Sequence, residues 1–464
     1  MTRHRTTSRR LRHLTALALT TLAATAASAV PAHADVTVGC TTADLVTAIN
    51  NANSGMGDPV LNLTSYCVYE VTAAASADDG LPPITLAAGI TINGNNATIK
   101  RTVPANFRLF DIASGGKLSA FDLSVENGEP ASNIGGGAIL VQNGGTFIGD
   151  NVTVEGSTGN LGAGIRGRVG STLTLSDSIV RDNRTTGGAT TGGGIYSEGT
   201  TSLVDTDILS NRAGNAGGIG KASGTLTVTR GNIKFNTADD LGAGLDLTAG
   251  TSTVDGTVIA DNRITTGGVQ TGSGGGVVVV SGTHTIKNAS IAGNKVAGNG
   301  IDGGGGGIHL LGEGTLTLDN TKVTANQVIG ENAKGGGILA NGGTLNINNG
   351  SDVTKNLLSG RYSQGGGIHA GNDFGQGVTV NVDGSAIDFN KVAGTGSFAA
   401  GVYNSDSTVT FTGASVSNNS APADPAPGGI WTNVAITTVP GSVFANNTPT
   451  NCDRSPAPVS TCVN

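Results

Sequence analysis

Large rings and charges are what this chain has least of. Aromatic residues make up 3% of its 464 positions, with a single Trp, and charged residues make up 13%. So few rings exclude an ordinary globular core built around them, and so few charges exclude a charge-rich disordered chain. Cysteine is scarce as well, with four residues in all. None stands in CxxC spacing or near a His, which argues against zinc. No apolar run is long enough to remain as a membrane span. Basic residues are fewer than acidic ones, 26 against 33, which disfavours nucleic acid or an anionic membrane surface as partner.

What is present begins with a leader. "MTRHRTTSRRLRH" carries five Arg and no acid, "LTALALTTLAATAASAV" is mildly apolar, and "AHA" precedes Asp35. These features read as a signal peptide over 1–34 and place the protein outside the cell. Arg9-Arg10 leaves the general and twin-arginine routes both open. In an oxidising compartment the Cys residues are expected to pair. Three pairings are possible, and the local one, Cys40 with Cys67 and Cys452 with Cys462, is expected because each pair lies within one short segment.

Glycine is abundant, at 76 residues, and it recurs in register. A Gly/Ala pair followed by an aliphatic residue returns eleven times, with the aliphatic at Ile139, Ile165, Ile195, Ile219, Leu245, Val277, Ile308, Ile338, Ile368, Val402 and Ile430. In step with it, a β-branched residue stands three places before Asn183, Asn211, Asn236, Asn262, Asn294, Asn326, Asn356, Asn390, Asn419 and Asn446. Alternating segments such as "TLTL" at 172–175 and 315–318 lie between the two registers. One such unit cannot bury its own apolar side chains, so the pattern predicts a solenoid. Three short strands per unit predict an all-β parallel β-helix with about eleven regular coils after irregular N-terminal ones. Asn at one corner of every coil is expected to form a hydrogen-bonded ladder.

The segment 41–53 reads as a short capping helix, started by Thr41 or Thr42, with Leu45, Val46 and Ile49 on one face. The expected organisation is a signal peptide at 1–34 and an N-terminal cap with helix and disulfide at 35–80. The β-helix follows at 81–446, and a disulfide-closed tail at 447–464.

Over roughly 80–446 the repeats resemble the pectin-lyase-like right-handed parallel β-helix superfamily. The "GGGI" and "I/V-x-x-N" units are similar to the GGAI/FxxN repeats of polymorphic outer-membrane proteins, with Val or Ile where those favour Phe. The leader, "CTTADLVTAI" and the closing Cys pair resemble secreted β-helix proteins of high-GC Gram-positive bacteria. The resemblance implies the fold and a groove on the Gly-Gly-Ile strand face. It implies no single activity, because such solenoids serve lyases, hydrolases and adhesins alike.

By the two-residue period of a strand, the residue after each inward aliphatic faces outward. That row contains Arg166, Tyr196, Asp246, His309, His369, Tyr403 and Trp431, a concentration of rings and polar groups suited to sugar binding. The carboxylate candidates are Asp239, Asp240 and Asp246 in "NTADDLGAGLDL", since glycoside hydrolysis needs a pair of them. The expectation is a secreted, monomeric, non-catalytic binding or adhesion protein with a polysaccharide or cell-surface glycan as partner and no cofactor. The alternative is a polysaccharide lyase or glycoside hydrolase in the same groove, with Ca²⁺ if a lyase.

Overall fold

The structure is a computed structural model that describes residues 35–463 apart from 188–189, 266–271, 298–302, 372–374, 376 and 423–426. The signal peptide expected over 1–34 lies outside the described residues. The chain from Asp35 is an all-β, right-handed-type parallel β-solenoid of about thirteen turns with one short helix. The helix α1 (Thr42–Asn53) is capped by Thr41, whose hydroxyl accepts from Asp44 N at 3.1 Å. Leu45, Ala48, Ile49 and Ala52 are its buried residues, and Val46 is only partly covered. Thr42 Oγ1 donates to Glu70 O, and Asn53 ties to Pro83 and Thr85, so α1 is fastened to the first strands. Cys40–Cys67 and Cys452–Cys462 are both bonded.

Each regular coil holds four strands where the sequence pattern predicts three. The Gly-Gly-Ile segments form a 12-stranded parallel sheet, the Ile sheet, in which Ile165 pairs with both Ile139 and Ile195. The alternating and "S-x-I" segments form two ladders of a 26-stranded sheet. The unforeseen fourth strand follows the Asn, as in Arg263–Thr265 and Lys295–Ala297, and builds a 9-stranded corner sheet. Its middle residues Ile264, Val296, Val328, Leu358 and Val392 pack with Ala243 and Ala400 in a small apolar layer separate from the main core. "TADDL", which reads as a short gap, is one of these strands.

The Asn ladder runs through the coils. Asn294 donates from its backbone N and from Nδ2 to Asn326 Oδ1, both at 3.0 Å. Asn326 Nδ2 in turn donates to Ile291 O at 2.9 Å and to Asn356 Oδ1 at 3.0 Å. Every lone pair and proton of a buried amide is thus used, which is what burial of a polar side chain requires. The last rung differs from the sequence reading. Phe444, not Val443, pairs with Val416 and is buried, and Asn419 bonds to Asn447 rather than Asn446. Asn446 takes the left-handed conformation (φ 58°) just outside the ladder.

The two registers of the sequence are one steric device. A Cβ on Gly337 would stand 2.8 Å from Asn356 Nδ2 and 2.8 Å from Gly367 O, and the same holds within a few tenths of an ångström at Gly307 and Gly367. The Gly before the aliphatic therefore makes room for the ladder Asn of its own coil. Three residues before the aliphatic the chain turns left-handed in every coil except the last, where Pro427 stands, as at Gly274 (φ 68°) and Gly305 (φ 66°). Glycine is the residue that takes this conformation without strain.

Candidate functional site

That left-handed turn changes the meaning of the outward row. It folds the incoming chain back over the residue after the aliphatic. A Cβ at Gly274 would lie 2.2 Å from Val278 Cγ2, and one at Gly305 would lie 3.0 Å from His309 Cβ. Beneath the turn the shorter side chains of the row are covered: Leu140, Val278, Leu339, His309 and His369 are buried, His369 to 1% exposure. Arg166, Tyr196, Tyr403 and Trp431 remain half-exposed. The row is a covered layer in its middle and open only toward its two ends.

At the C-terminal end His369, Tyr403 and Trp431 form a stack. The rings of His369 and Tyr403 are 4.6 Å apart, as are those of Tyr403 and Trp431, the latter within 1° of parallel. Phe398 tilts against both Tyr403 and Trp431 at 5.6 Å. The stacked faces cover one another, so between coils the rings offer edges to a ligand instead of the faces that sugars pack on.

The N-terminal end is polar. Arg166 pairs with Glu198 at 2.8 Å, donates to Ile134 O and lies over the Tyr196 ring at 5.7 Å. Burial first, then the Glu198 carboxylate, raises the Tyr196 phenol above its usual range. Beside them is a cleft of about 520 Å³ lined by Asp111, Ala113, Ser114, Gln142, Asn143 and Arg168. Gln142 bridges its charges, donating from Nε2 to Asp111 Oδ1 at 3.0 Å and accepting from Arg168 Nη1 at 2.8 Å. Burial, then the Asp79 carboxylate, raises Asp111, while Gln142, Arg108 and Arg168 oppose the rise. Behind it Arg108 is held by Asp79 at 2.7 Å. Sequence reasoning missed this cleft. Asp111 lies in "LFDI", a strand of the Ile sheet that lacks the Gly pair, and it pairs with Leu140. Gln142 and Arg168 lie one strand period beyond the row.

The three candidate carboxylates have separate environments. Asp239 is paired with Arg212 at 3.0 Å on the surface, both side chains nearly half exposed. Asp240 is half-buried on the same strand, and burial raises its carboxyl. Asp246 sits in the covered row between Gly220 and Val278 and accepts from Thr248 Oγ1 at 3.2 Å. Burial pushes it up to about 6. Among the described residues no group of three or more His, Cys, Asp or Glu could hold a metal ion.

The Asp246 shift has a stability consequence. Its folded value lies above the unfolded 3.8, so the native state holds the extra proton and stability falls as pH rises from about 3.8 to 6. Asp246→Asn is expected to be more stable than the parent at pH 7–8 and to lose that advantage below pH 4. Thermal melts of both proteins across that range check it; an equal difference at all pH values would contradict the assignment.

No protein-family model, curated protein or solved structure matches this chain. The parallel β-solenoid stands on the structure, while the pectin-lyase-like and outer-membrane-repeat likenesses stand on sequence motifs alone. No helix among the described residues is long and apolar enough to cross a membrane.

Proposed function

We propose that the chain is an exported, non-catalytic binding protein that holds carbohydrate on the outer side of the Ile sheet. The observation that supports this most is the Asp111–Gln142–Arg168 cleft, where a carboxylate, an amide and a guanidinium converge at an open surface. Such planar donors and acceptors fix the hydroxyls of a sugar. The half-exposed edges of Tyr403 and Trp431 add a second contact zone on the same sheet. The leader and the two disulfides agree with export into an oxidising compartment.

A second reading, hydrolysis or elimination on a polysaccharide, has one observation in its favour: Asp246 is raised to about 6, as a general acid is. Its drawback is that Asp246 is buried under Gly242 and that its side-chain partner among the described residues is Thr248, not a second carboxylate.

Calorimetric titration with a panel of neutral and acidic polysaccharides tests the proposal. At least one neutral glycan is expected to bind, and Arg168→Ala and Gln142→Ala are each expected to weaken it about tenfold. Absence of binding to every glycan would overturn the proposal. So would release of reducing or unsaturated ends by the parent and not by Asp246→Asn.

A further inference from the structure

Through Asn390, the residue that follows each ladder Asn starts a corner-sheet strand, and in register these residues are Arg184, Arg212, Thr237, Arg263, Lys295, Gln327, Leu357 and Lys391. Ser420 and Thr448, after Asn419 and Asn447, continue the column as isolated bridges. Five of these ten residues are cations and none is an anion. A chain with 26 Lys and Arg in 464 residues would place fewer than one there at random. Arg184, Arg212, Arg263 and Lys391 are exposed and Lys295 is half-exposed.

The column is electrostatically costly as it stands. Arg184 pairs directly with Arg212, and Arg263 with Lys295. Like charges on neighbouring strands about 4.8 Å apart destabilise a sheet. Among the described residues Arg212 alone of the five has an acid, Asp239, at 3.0 Å. Among the described residues Arg184, Arg263, Lys295 and Lys391 make no ion pair.

Two rings border the column. Phe235 and Phe389 stand one residue before their ladder Asn, 57% and 53% exposed, and both are left-handed, with φ of 59° and 53°. That position is left-handed in every coil; it holds Gly, Asp or Asn in some, as at Gly293, Asp261 and Asn418, and Ser210, Ala325 or Lys355 in others. Phe is the bulkiest residue placed there, and its exposure returns no packing for it.

We propose that this column is a docking surface for a linear anionic glycan lying along the solenoid axis. From Arg184 to Lys391 it extends about 34 Å, one strand spacing per coil. A linear polyuronate carries one carboxylate on every sugar, so along its length it offers charges to the cations at Arg184, Arg212, Arg263, Lys295 and Lys391. The Phe235 and Phe389 rings pack on the apolar faces of its sugars. The surface is on a different sheet from the Asp111–Gln142–Arg168 cleft and does not rest on that reading.

The test uses the full chain, oligo-alginate long enough to cover the column, dextran as neutral control and oligo-dT as a second polyanion. Alginate is expected to bind with a logarithmic salt slope of about −0.7 for each cation engaged. Replacing Arg184, Arg263, Lys295 and Lys391 together by Gln is expected to weaken alginate at least about tenfold. The same variant should melt no lower than the parent at low salt, because the repulsion is gone. Phe389→Asn is expected to melt higher and bind alginate more weakly, whereas a purely structural Phe389 would show no loss of binding. Arg168→Ala should leave alginate affinity unchanged while weakening neutral-glycan binding at the cleft about tenfold. Unaltered alginate affinity in the fourfold variant would overturn the proposal, and tighter binding of oligo-dT than of alginate would overturn the glycan assignment.

Discussion

Asn326→Ala is expected to destabilise the solenoid by about 2–6 kcal/mol, since two buried backbone groups lose a partner at about 1–3 kcal/mol each. The Asn294 N–H loses its acceptor and the Ile291 carbonyl loses its side-chain donor. Apolar replacement does not restore either bond, so Asn326→Leu should be no better. Asn326→Asp keeps the acceptor for Asn294 but removes the Nδ2 donor and buries a charge, and should be at least as damaging. Each coil of a solenoid touches only its neighbours, so the loss should appear as a split or broadened urea transition and not as a uniform shift. An unchanged, single transition would contradict the role given to the ladder.

Lys221→Met is expected to act in the opposite direction. Lys221 is one of the largest fully buried side chains, 1% exposed, in the position that Ser197 and Leu247 occupy in adjacent coils. Its Nζ donates to Ala249 O, and it makes no ion pair among the described residues. Burial brings its pKa down to about 8. The folded value is below the unfolded 10.5, so the unfolded chain holds the proton more tightly. The destabilising contribution is complete below about pH 8 and fades as pH rises from 8 to 10.5. An apolar side chain of similar length removes it, by about 1–4 kcal/mol at neutral pH on the precedent of buried ionic groups. Melts at pH 7 and pH 10 should show Lys221→Met well above the parent at pH 7 and close to it at pH 10. A lower midpoint at pH 7 would mean that the amine's bond to Ala249 outweighs its desolvation.

The coil itself was legible in the sequence, because stacked copies of one side chain leave a periodic trace. The Gly/Ala-aliphatic and β-branched-x-x-Asn registers both follow from the clash between the last Gly and the Asn amide of the same coil. The fourth strand was not legible, since three residues such as "KVA" or "QVI" carry too short an alternation to stand out from a loop. The outward row misled for a different reason. Strand periodicity gives the direction in which His309 and Val278 point, but not that a left-handed turn three residues upstream folds the chain over them. At the last rung, two adjacent Asn at 446 and 447 satisfy the same pattern, and only the pairing of Phe444 with Val416 distinguishes them.

The site was legible in part. Arg166, Tyr196, Tyr403 and Trp431 are half-exposed on the Ile sheet as the row predicts, and they lie toward its two ends. Asp111, Gln142 and Arg168 were hidden because the first of them precedes the Gly-Gly-Ile repeat and the others lie three residues past its aliphatic marker. Alignment on the residue after each ladder Asn would have revealed the basic column without coordinates. Its cations are invisible in the composition, where acids outnumber them.

Hydrogen exchange with and without a bound neutral glycan tests the central claim most directly, because it reads backbone protection coil by coil. The account predicts slow exchange along the Asn ladder in both states. It further predicts that added protection on binding concentrates in the turns at 111–115, 142–145 and 166–170. Fast exchange along the ladder, or glycan protection confined to other turns, would contradict it.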